Sequence, residues 1–583
     1  MRTVYGAGLL LLIATAWMVL NGTQVVRNVG DMARFGTILF QILAPLQLAI
    51  LLFLSAIQTA SNIAVEKDKQ TLILLLMSRL TNSELVLGKM FSSLLNVGVM
   101  LMTGLPIFML IVLFGGTSFE QVGWTFAVTA LAALAAGSLG ATIAFWREKT
   151  FQTLALVALV IVFWLGAAEA IALAGSPFGG ISAATIATAL NPIRAVVAAS
   201  QPNVTELWPV SVLPFLIVAG SLTVIQCGVA ILRVRKWNPS RDIRPGQQES
   251  LDDGVDMFTG EVSMGDQSIA PKHIDDRSRS VNKQSRRVWD NPVLWRESCT
   301  WAYGRKVVFI RLAYWALAAF VVFSLYGLVS SGEAFRTSSG VAVQLDISAQ
   351  IIAPFMIVSL VMINALAVTS ITNERDGRAL DLLRVTDLTP KEFLFGKSFG
   401  VMYVASDLIA LTIIASGYLW WSEVLGTENF VYLIIGWLIL VTFVVVLGLH
   451  TGMSYSNSRQ AIAVSLGTVF FLFLGIVTAM TMMVSFTGNA EAQLAPFLAC
   501  IIGGAIGLYL ALGWSTPSSA LAMASMLLPI AMFYSITSFL LDKYLSVILV
   551  VSFTYGFAIT AMVVPRLSEF LISMGRSKST ENE

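Results

Sequence analysis

Long apolar runs that carry no charged side chain are the feature that most constrains the fold of this chain. A helix needs about 20 apolar residues to cross the roughly 30 Å of hydrocarbon in a bilayer, since it rises about 1.5 Å per residue. Fourteen stretches of the 583-residue sequence approach or exceed this length. Only 12% of the residues are charged, against about 25% in soluble domains. The sequence therefore predicts an all-α polytopic membrane protein.

The predicted spans form two groups separated by a long polar stretch. Six lie in the first group, near residues 4–20, 36–60, 91–114, 122–145, 151–174 and 208–232. Eight lie in the second group, near residues 307–329, 346–371, 398–421, 430–453, 460–485, 493–513, 520–541 and 544–565. The first run also resembles a secretory signal peptide, but its register with the second half favours a retained helix.

Basic residues predict the orientation, because short cytoplasmic loops carry an excess of Lys and Arg. Loops of one parity hold most of the basic residues, within 66–89, 147–149, 233–236 and 374–397. With fourteen spans, both chain termini are then cytoplasmic. We expect a multi-pass protein of the plasma (inner) membrane.

Two of these cytoplasmic loops contain the same 24-residue segment, at 66–89 and 374–397. The copies lie 308 positions apart (374 minus 66), align without a gap and are identical at ten positions. The identical pairs are Glu66/Glu374, Asp68/Asp376, Leu72/Leu380, Leu74/Leu382, Leu75/Leu383, Leu80/Leu388, Thr81/Thr389, Glu84/Glu392, Gly88/Gly396 and Lys89/Lys397. The chain is therefore an internal duplication.

Each copy has the pattern of a short helix followed by a new helix. Leu72, Leu75, Leu76 and Leu80 follow helical spacing and form one apolar face. Thr81 and Thr389 each precede a Glu by three residues, which predicts N-terminal capping boxes. Pro390 suits the first position of the second of these helices. The charged residues Glu66, Asp68, Glu374 and Asp376 are expected to pair with basic neighbours in the sequence.

The duplication also predicts the domain organisation. Residues 1–232 form the first half, and 289–485 form the second half. The polar residues 233–288 between them form a flexible cytoplasmic linker; 486–566 hold additional spans, and 567–583 form a cytoplasmic tail. Trp and Tyr mixed with basic residues at 289–305 predict an interfacial entry helix. We expect two tandem six-helix bundles in a pseudo-two-fold arrangement, plus about two additional C-terminal helices.

The repeated pattern Glu-x₅-Leu-x-Leu-Leu…Leu-Thr-x-x-Glu-x-x-x-Gly-Lys resembles the ABC-2 type permeases, the membrane subunits of ATP-binding-cassette exporters. The segment Asn-Pro-Val-Leu-Trp-Arg-Glu at 291–297 is similar to the amphipathic entry helix of that family. The resemblance implies that residues 66–81 and 374–389 are coupling helices, which dock into a dimer of ATPase subunits and transmit its closure to the spans. The substrate would then be exported across the membrane.

The coupling residues that this resemblance implies are Glu66, Asp68, Leu72, Leu75, Leu76, Arg79, Thr81, Glu84, Gly88, Lys89, Glu374, Asp376, Leu380, Leu383, Arg384, Thr389, Glu392, Gly396 and Lys397. The chain contains no G-x-x-x-x-G-K-[ST] phosphate-binding loop. It is therefore expected to be a transport subunit without enzymatic activity and without a cofactor of its own, and the partner ATPase would bind ATP and magnesium. Further subunits are compatible with this role.

The sequence also offers other candidate sites and other functions. Asp407 and Glu169 lie within apolar runs and are candidates for a substrate path, with hydrogen bonding between helices as the alternative. The net charge of +2 argues against nucleic acid, and two histidines and three scattered cysteines argue against a metal site. The alternative functions are a secondary transporter or channel, and a membrane anchor without transport. Residues 175–207 are too polar to span and are expected to form short re-entrant helices or a surface loop.

Overall fold

The computed structural model describes residues 29–68, 71–147, 150–174, 183–200, 212–238, 289–299, 307–330, 347–376, 380, 388–478, 490–513, 517–540 and 544–581, with six single residues between 6 and 17. This part of the chain is 92% helical and contains no strand. Eleven of its helices are long and apolar enough to cross a membrane, and one bent pair of helices raises the number to twelve. The predicted all-α multi-pass membrane protein is confirmed at this level.

Eight helices are described in the first half. They are α1 (Val29–Asp68), α2 (Thr71–Met77), α3 (Asn82–Leu113), α4 (Phe119–Trp146), α5 (Thr150–Ala174), α6 (Ala183–Leu190), α7 (Pro192–Ser200) and α8 (Leu213–Trp237). Helix α2 is short and lies in the predicted cytoplasmic loop. Helices α6 and α7 lie in the predicted outer loop, and α7 packs against α1 and α4. The predicted span at 4–20 lies largely outside the described residues.

Ten helices are described in the second half. They are α9 (Pro292–Cys299), α10 (Val307–Ser330), α11 (Ile347–Asp376), α12 (Pro390–Val404), α13 (Ser406–Trp421), α14 (Thr427–Ser454), α15 (Ser458–Phe470), α16 (Ala490–Leu512), α17 (Ser519–Leu540) and α18 (Tyr544–Glu581). A π-helical turn, Phe471–Gly475, continues α15. The predicted span at 493–513 corresponds to α16.

Helix boundaries in the two halves keep the register of the repeat. The boundaries that coincide after 308 positions are Asn82 with Pro390, Leu113 with Trp421, Phe119 with Thr427, Trp146 with Ser454, and Thr150 with Ser458. One difference interrupts this agreement. Helix α3 is continuous, whereas its equivalent is broken at Ala405 and bends by 54° between α12 and α13.

The largest helix contact in each half joins equivalent helices, α1 with α4 and α11 with α14. Both contacts depend on a glycine. A Cβ at Gly140 would lie 2.5 Å from the carbonyl oxygen of Ala56, and a Cβ at Gly448 would lie 3.0 Å from that of Asn364. These positions are equivalent in the register. Close backbone approach at a small residue is the usual way in which membrane helices pack.

Contacts between the halves are reciprocal. Helix α5 packs against α11, and its equivalent α15 packs against α1. In the second of these contacts, the rings of Phe53 and Phe470 lie 5.3 Å apart, and Arg459 donates to the side-chain oxygen of Asn62 at 2.6 Å. Each half therefore contacts the other through its equivalent helices.

The last helix of each half occupies a similar place. Helix α8 packs against α4 and α3, and α18 packs against their equivalents α14 and α12. Asn238, just after α8, donates to the carbonyl of Phe145 at 3.1 Å. Arg566 of α18 donates to the hydroxyl of Ser454. Both residues therefore reach the C-terminal end of the helix on which they pack.

Candidate functional site

The first duplicated segment forms α2 between two long helices. Leu72 is buried, 2% exposed, and Leu75 and Leu76 are half-buried against the core. Three of the four leucines of the predicted face therefore pack inward against the protein, whereas the fourth, Leu80, lies after the end of α2 and is exposed. Helix α2 also packs against α1, so the segment is held close to the membrane-spanning bundle.

A second apolar surface points away from the protein. Leu74 is 69% exposed, Met77 is 75% exposed and Leu80 is 40% exposed, and Arg79 beside them is also exposed. Exposed apolar side chains in a charged loop cost free energy in water and are typical of protein contact sites. This outward surface, Leu74, Met77, Arg79 and Leu80, is called the docking surface below.

Both predicted capping boxes are present. The amide of Glu84 donates to Thr81 Oγ1 at 3.3 Å, and the amide of Thr81 donates to Glu84 Oε2 at 2.9 Å. The same two bonds join Thr389 and Glu392, at 3.2 and 2.9 Å. Each box satisfies two amides that the helix itself leaves without a partner. The prediction that a new helix begins at each Leu-Thr is confirmed.

The repeated Glu and Lys form an ion pair in each half. Lys89 Nζ lies 2.6 Å from Glu66 Oε1, and Lys397 Nζ lies 2.7 Å from Glu374 Oε1. For Glu66 and Glu374 the expectation of pairing with neighbours in the sequence is wrong, because the partner is 23 residues away on the next long helix. Asp376 does pair with its neighbour Arg375, whose Nε lies 3.9 Å from Asp376 Oδ1. Each Glu–Lys pair joins the end of one span to the beginning of the next, and the coupling segment lies between them.

The basic residues next to Glu66 and Glu374 bind carbonyls at the C-terminal ends of α4 and α14. Lys67 donates to the carbonyls of Phe145 and Arg147, the latter at 2.9 Å. Arg375 donates to the carbonyls of Gly452, at 2.8 Å, and Tyr455. Arg147 and Tyr455 are equivalent in the register. These bonds satisfy carbonyls at helix C-termini that have no partner within the helix. Basic character at both 67 and 375 was a signal in the sequence for this shared role.

In the second half the ion pair belongs to a larger cluster. Lys397 also lies 2.7 Å from Glu297 Oε1, and Arg296 pairs with both Glu297 and Glu374. The side chain of Lys397 is only 1% exposed. A buried ammonium requires this kind of compensation, because transfer out of water costs several kcal/mol for an unpaired ion. Sequence reasoning did not identify Arg296 and Glu297 as part of the site.

Those two residues lie on α9, which packs tightly against α12. Asn291 donates to the carbonyl of Glu392 at 2.9 Å and accepts from the amide of Leu294 at 3.0 Å, so it caps α9 and anchors it. A Cβ at Gly396 would lie 2.7 Å from Asn291, and one at Gly400 would lie 2.6 Å from Glu297. The predicted entry helix at 289–305 is described as a helix over Pro292–Cys299.

Arg235 at the end of α8 forms hydrogen bonds with the first duplicated segment. Its guanidinium donates to Asn82 Oδ1 at 2.7 Å and to the carbonyls of Leu76 and Leu80 at 3.2 Å each. Carbonyls at the end of a short helix need such donors. Sequence reasoning used Arg235 only for orientation, since nothing local indicates a partner more than 150 residues away.

The two candidate substrate-path residues both have ion-pair partners. Asp407 lies 3.2 Å from Arg311 Nε, and Arg311 also donates to the carbonyl of Val404 at the break between α12 and α13. Glu169 accepts two bonds from Arg194, at 2.8 and 2.6 Å. This hydrogen bonding raises the pKa of the Arg194 guanidinium. The two pairs lie at different places in the fold and do not form one site.

The second duplicated segment is described only in part. Leu380 is buried, like its equivalent Leu72, and Asp376 accepts from Ser458 Oγ at 2.6 Å. Leu383 and Arg384 lie outside the described residues, as does the side chain of Asp68. Gly88, unlike Gly396, has open space beside it. The structure therefore brings together the repeated Glu and Lys, and it leaves the second docking surface undescribed.

No group of three or more His, Cys, Asp or Glu residues that could hold a metal ion occurs among the described residues. Comparison of the chain with family models, curated proteins and solved structures found no match. The fold defines a class, an all-α multi-pass membrane protein.

Proposed function

We propose that the chain is the permease subunit of an ATP-binding-cassette exporter of the ABC-2 type, driven by ATPase subunits that dock on its cytoplasmic side. The observation that carries this proposal is the docking surface on α2. It exposes three apolar side chains on and just after α2, and this segment is bonded to α1 through Thr71 and to α8 through Arg235. A loop that served only to orient the protein would not need an exposed apolar surface on a fixed helix.

The Glu–Lys pairs supply a route for the motion of the ATPase. Helix α2 is linked to α1 by the bond from Thr71 Oγ1 to the carbonyl of Glu66, at 3.2 Å. At its other end, Arg235 binds the carbonyl of Leu76 and the side chain of Asn82 at the start of α3. The pair of Glu66 with Lys89 joins α1 and α3 directly. A push on the docking surface therefore moves both spans together, because neither end of the segment is free to absorb the displacement.

The two halves support a pseudo-two-fold arrangement of two bundles. A two-fold axis requires that if one element contacts a second, their equivalents make the reverse contact. Helices α5 with α11 and α15 with α1 satisfy this condition. By the same criterion α18 is the equivalent of α8, and α16 and α17 are inserted before it. One chain would then supply two docking segments to an ATPase dimer, and both of its termini would be cytoplasmic.

The test is recovery of an ATPase with the chain. The protein is purified from its own membrane, and ATPase subunits that co-purify are identified and quantified. The double variant Leu74→Asp with Leu382→Asp, at equivalent positions of the repeat, is expected to lose about tenfold or more of the recovered ATPase, since a desolvated carboxylate opposes docking. Ser83→Asp is the control for an added carboxylate, because it places one such group at an exposed first-turn position where acidic residues are favourable.

Two outcomes contradict the proposal. If the wild-type chain recovers no ATPase, the chain is not driven in this way. If the double variant recovers as much ATPase as Ser83→Asp does, the docking surface lies elsewhere. An anchor without transport would recover the ATPase but would move no substrate in vesicles, which separates it from an exporter.

A secondary transporter is the second candidate, and one observation favours it. Span α12–α13 is broken, and Asp407 pairs with Arg311 at the break. Discontinuous helices with charged residues near the break are typical ion sites in such proteins. The equivalent position in α3 is Val99, in a continuous helix, so the feature is not repeated. Ion-coupled transport by the purified chain in liposomes without any ATPase, abolished by Asp407→Asn, would favour this candidate.

A further inference from the structure

The same helix face is covered in one half and uncovered in the other. In the second half, α9 packs on the face of α12 formed by Glu392, Gly396, Lys397 and Gly400. The equivalent residues of α3 are Glu84, Gly88, Lys89 and Ser92, which are called the open face below. No described helix packs on the open face in the way that α9 packs on α12.

Three comparisons show the difference. Gly396 lies against Asn291 and Val293, whereas a Cβ at Gly88 would meet nothing within 4 Å. The side chain of Lys397 is 1% exposed, whereas that of Lys89 is 29% exposed. Lys397 forms ion pairs with two carboxylates, Glu297 and Glu374, whereas Lys89 forms an ion pair with Glu66. The open face therefore keeps the residues that receive a helix and has a partly exposed ion pair at its centre.

We propose that the open face binds a short amphipathic helix of another polypeptide, a partner subunit of the complex. Helix α9 shows the chemistry that such a helix needs. It begins with an Asn whose amide donates to a carbonyl at the end of the face, it places a small apolar residue over the glycine, and it carries an adjacent Arg and Glu. In α9, Glu297 binds Lys397, and Arg296 binds Glu374, the carboxylate that pairs with this lysine.

Charge complementarity favours a peptide over an anionic lipid. The open face presents a neutral pair, Glu66 and Lys89, so a bound group must offer both a cation and an anion. An Arg-Glu dipeptide on a helix offers both in fixed geometry. An anionic headgroup would bind Lys89 but would be repelled by Glu66, and it would leave the space beside Gly88 unfilled.

One residue of the open face sets a further requirement. Ser92 replaces Gly400, where a Cβ would lie 2.6 Å from the Cβ of Glu297. The partner helix must therefore stand slightly further from α3 at this end than α9 stands from α12. Lys89 can still reach its carboxylate, because a lysine side chain has four rotatable methylenes.

The test uses a peptide with the sequence of residues 289–300 as the probe. The peptide carries Val293→Cys and Cys299→Ser, and the full chain, with its native cysteines replaced by Ser, carries Gly88→Cys in nanodiscs. We expect disulfide cross-linking about tenfold above that of a scrambled peptide, the ratio expected for a few specific contacts. Chain carrying Gly98→Cys is the matched control, since this position lies further along α3, beyond the open face, and also has open space beside it. Its cross-linking should not exceed that of the scrambled peptide.

Charge exchange tests the chemistry of recognition. Lys89→Glu in the chain should remove cross-linking with the wild-type charges, and a peptide that carries Glu297→Lys but keeps its Arg at 296 for Glu66 should restore it. Restoration would not follow from a merely misfolded variant. Cross-linking equal to that of the scrambled peptide, or unaffected by Lys89→Glu, overturns the proposal.

Other occupants give distinct results. In the first case, Gly88→Cys in the purified chain without peptide is protected from a maleimide, and deletion of residues 245–280 removes the protection. This result shows that the linker covers the open face. Protection only in vesicles of anionic lipid, with labelling in detergent, shows that lipid covers it. A disulfide-linked dimer of the full chain that carries both Gly88→Cys and Val293→Cys shows that a second copy of the chain covers the open face. Each of these results overturns the partner helix.

Discussion

At the scale of single residues, the two repeated ion pairs show how identical side chains acquire different energetic roles. Glu66 and Lys89 are each nearly 30% exposed, at 28% and 29%, and a pair of this kind contributes about 0–1 kcal/mol. Lys397 is buried between Glu297 and Glu374. Removing one partner from a buried cluster leaves charge uncompensated and costs about 3–5 kcal/mol.

Replacement of each lysine by methionine should therefore have unequal effects. Lys397→Met leaves two carboxylates facing each other with Arg296 as their remaining cation, and we expect a loss of about 3 kcal/mol or more in the free energy of unfolding. Lys89→Met should cost less than about 1 kcal/mol. Unfolding in SDS titrations of the purified chain measures both. Equal losses would show that burial does not set the energetic difference.

The pairs also show which contacts a sequence can predict. The capping boxes were predicted because both partners lie within four residues, and local backbone geometry decides them. The Glu–Lys pairs were not predicted, although both residues are identical in the repeat, because the intervening helix had to fold back before they could meet. The buried side of α2 could not be assigned, since periodicity defines a face but does not define its neighbour.

At the scale of helices, glycine positions decide how closely α1 and α4 approach. Gly140 faces the backbone of Ala56, whereas Gly123, on the same helix, has open space beside it. The break at Ala405 has a different cause. No proline is present there, and Arg311 from α10 binds the freed carbonyl of Val404 and pairs with Asp407. A partner from another helix stabilises the break, so the local sequence did not predict it.

Gly140→Ala should separate α1 from α4. A Cβ would lie 2.5 Å from a backbone oxygen that cannot move independently, and overpacking of this kind costs about 1–3 kcal/mol. Gly123→Ala, the matched control, should be neutral or stabilising by up to about 1 kcal/mol, because alanine favours a helix. The free energy of unfolding is again the measurement. A neutral Gly140→Ala would mean that the helices are further apart than described.

At the scale of the whole molecule, the duplication is retained in the contacts around the repeated 24-residue segments and altered elsewhere. The ion pairs, capping boxes and reciprocal helix contacts are repeated. The entry helix and the broken span are described only in the second half. The sequence predicted the kind of helices, because hydropathy determines spans, and the described residues show eleven of the fourteen predicted spans, or twelve with the bent pair. It could not predict the place of α18, because the two helices before it shift the register of the last span.

Relative movement of the two halves is the whole-molecule expectation of the proposed function. A cross-link between the halves at Phe53→Cys and Phe470→Cys, whose native rings lie 5.3 Å apart, should abolish transport in vesicles containing the chain and its ATPase. A reducible bifunctional reagent makes the effect reversible, so activity should return on reduction.

The matched control is a cross-link within one half, at Trp420→Cys and Phe430→Cys, whose native rings lie 5.4 Å apart at the ends of α13 and α14. This control should retain most of the transport, because it joins helices that belong to one bundle. Full transport with the halves cross-linked would contradict alternation between two bundles, and loss of transport in both variants would show instead that movement within a bundle is required.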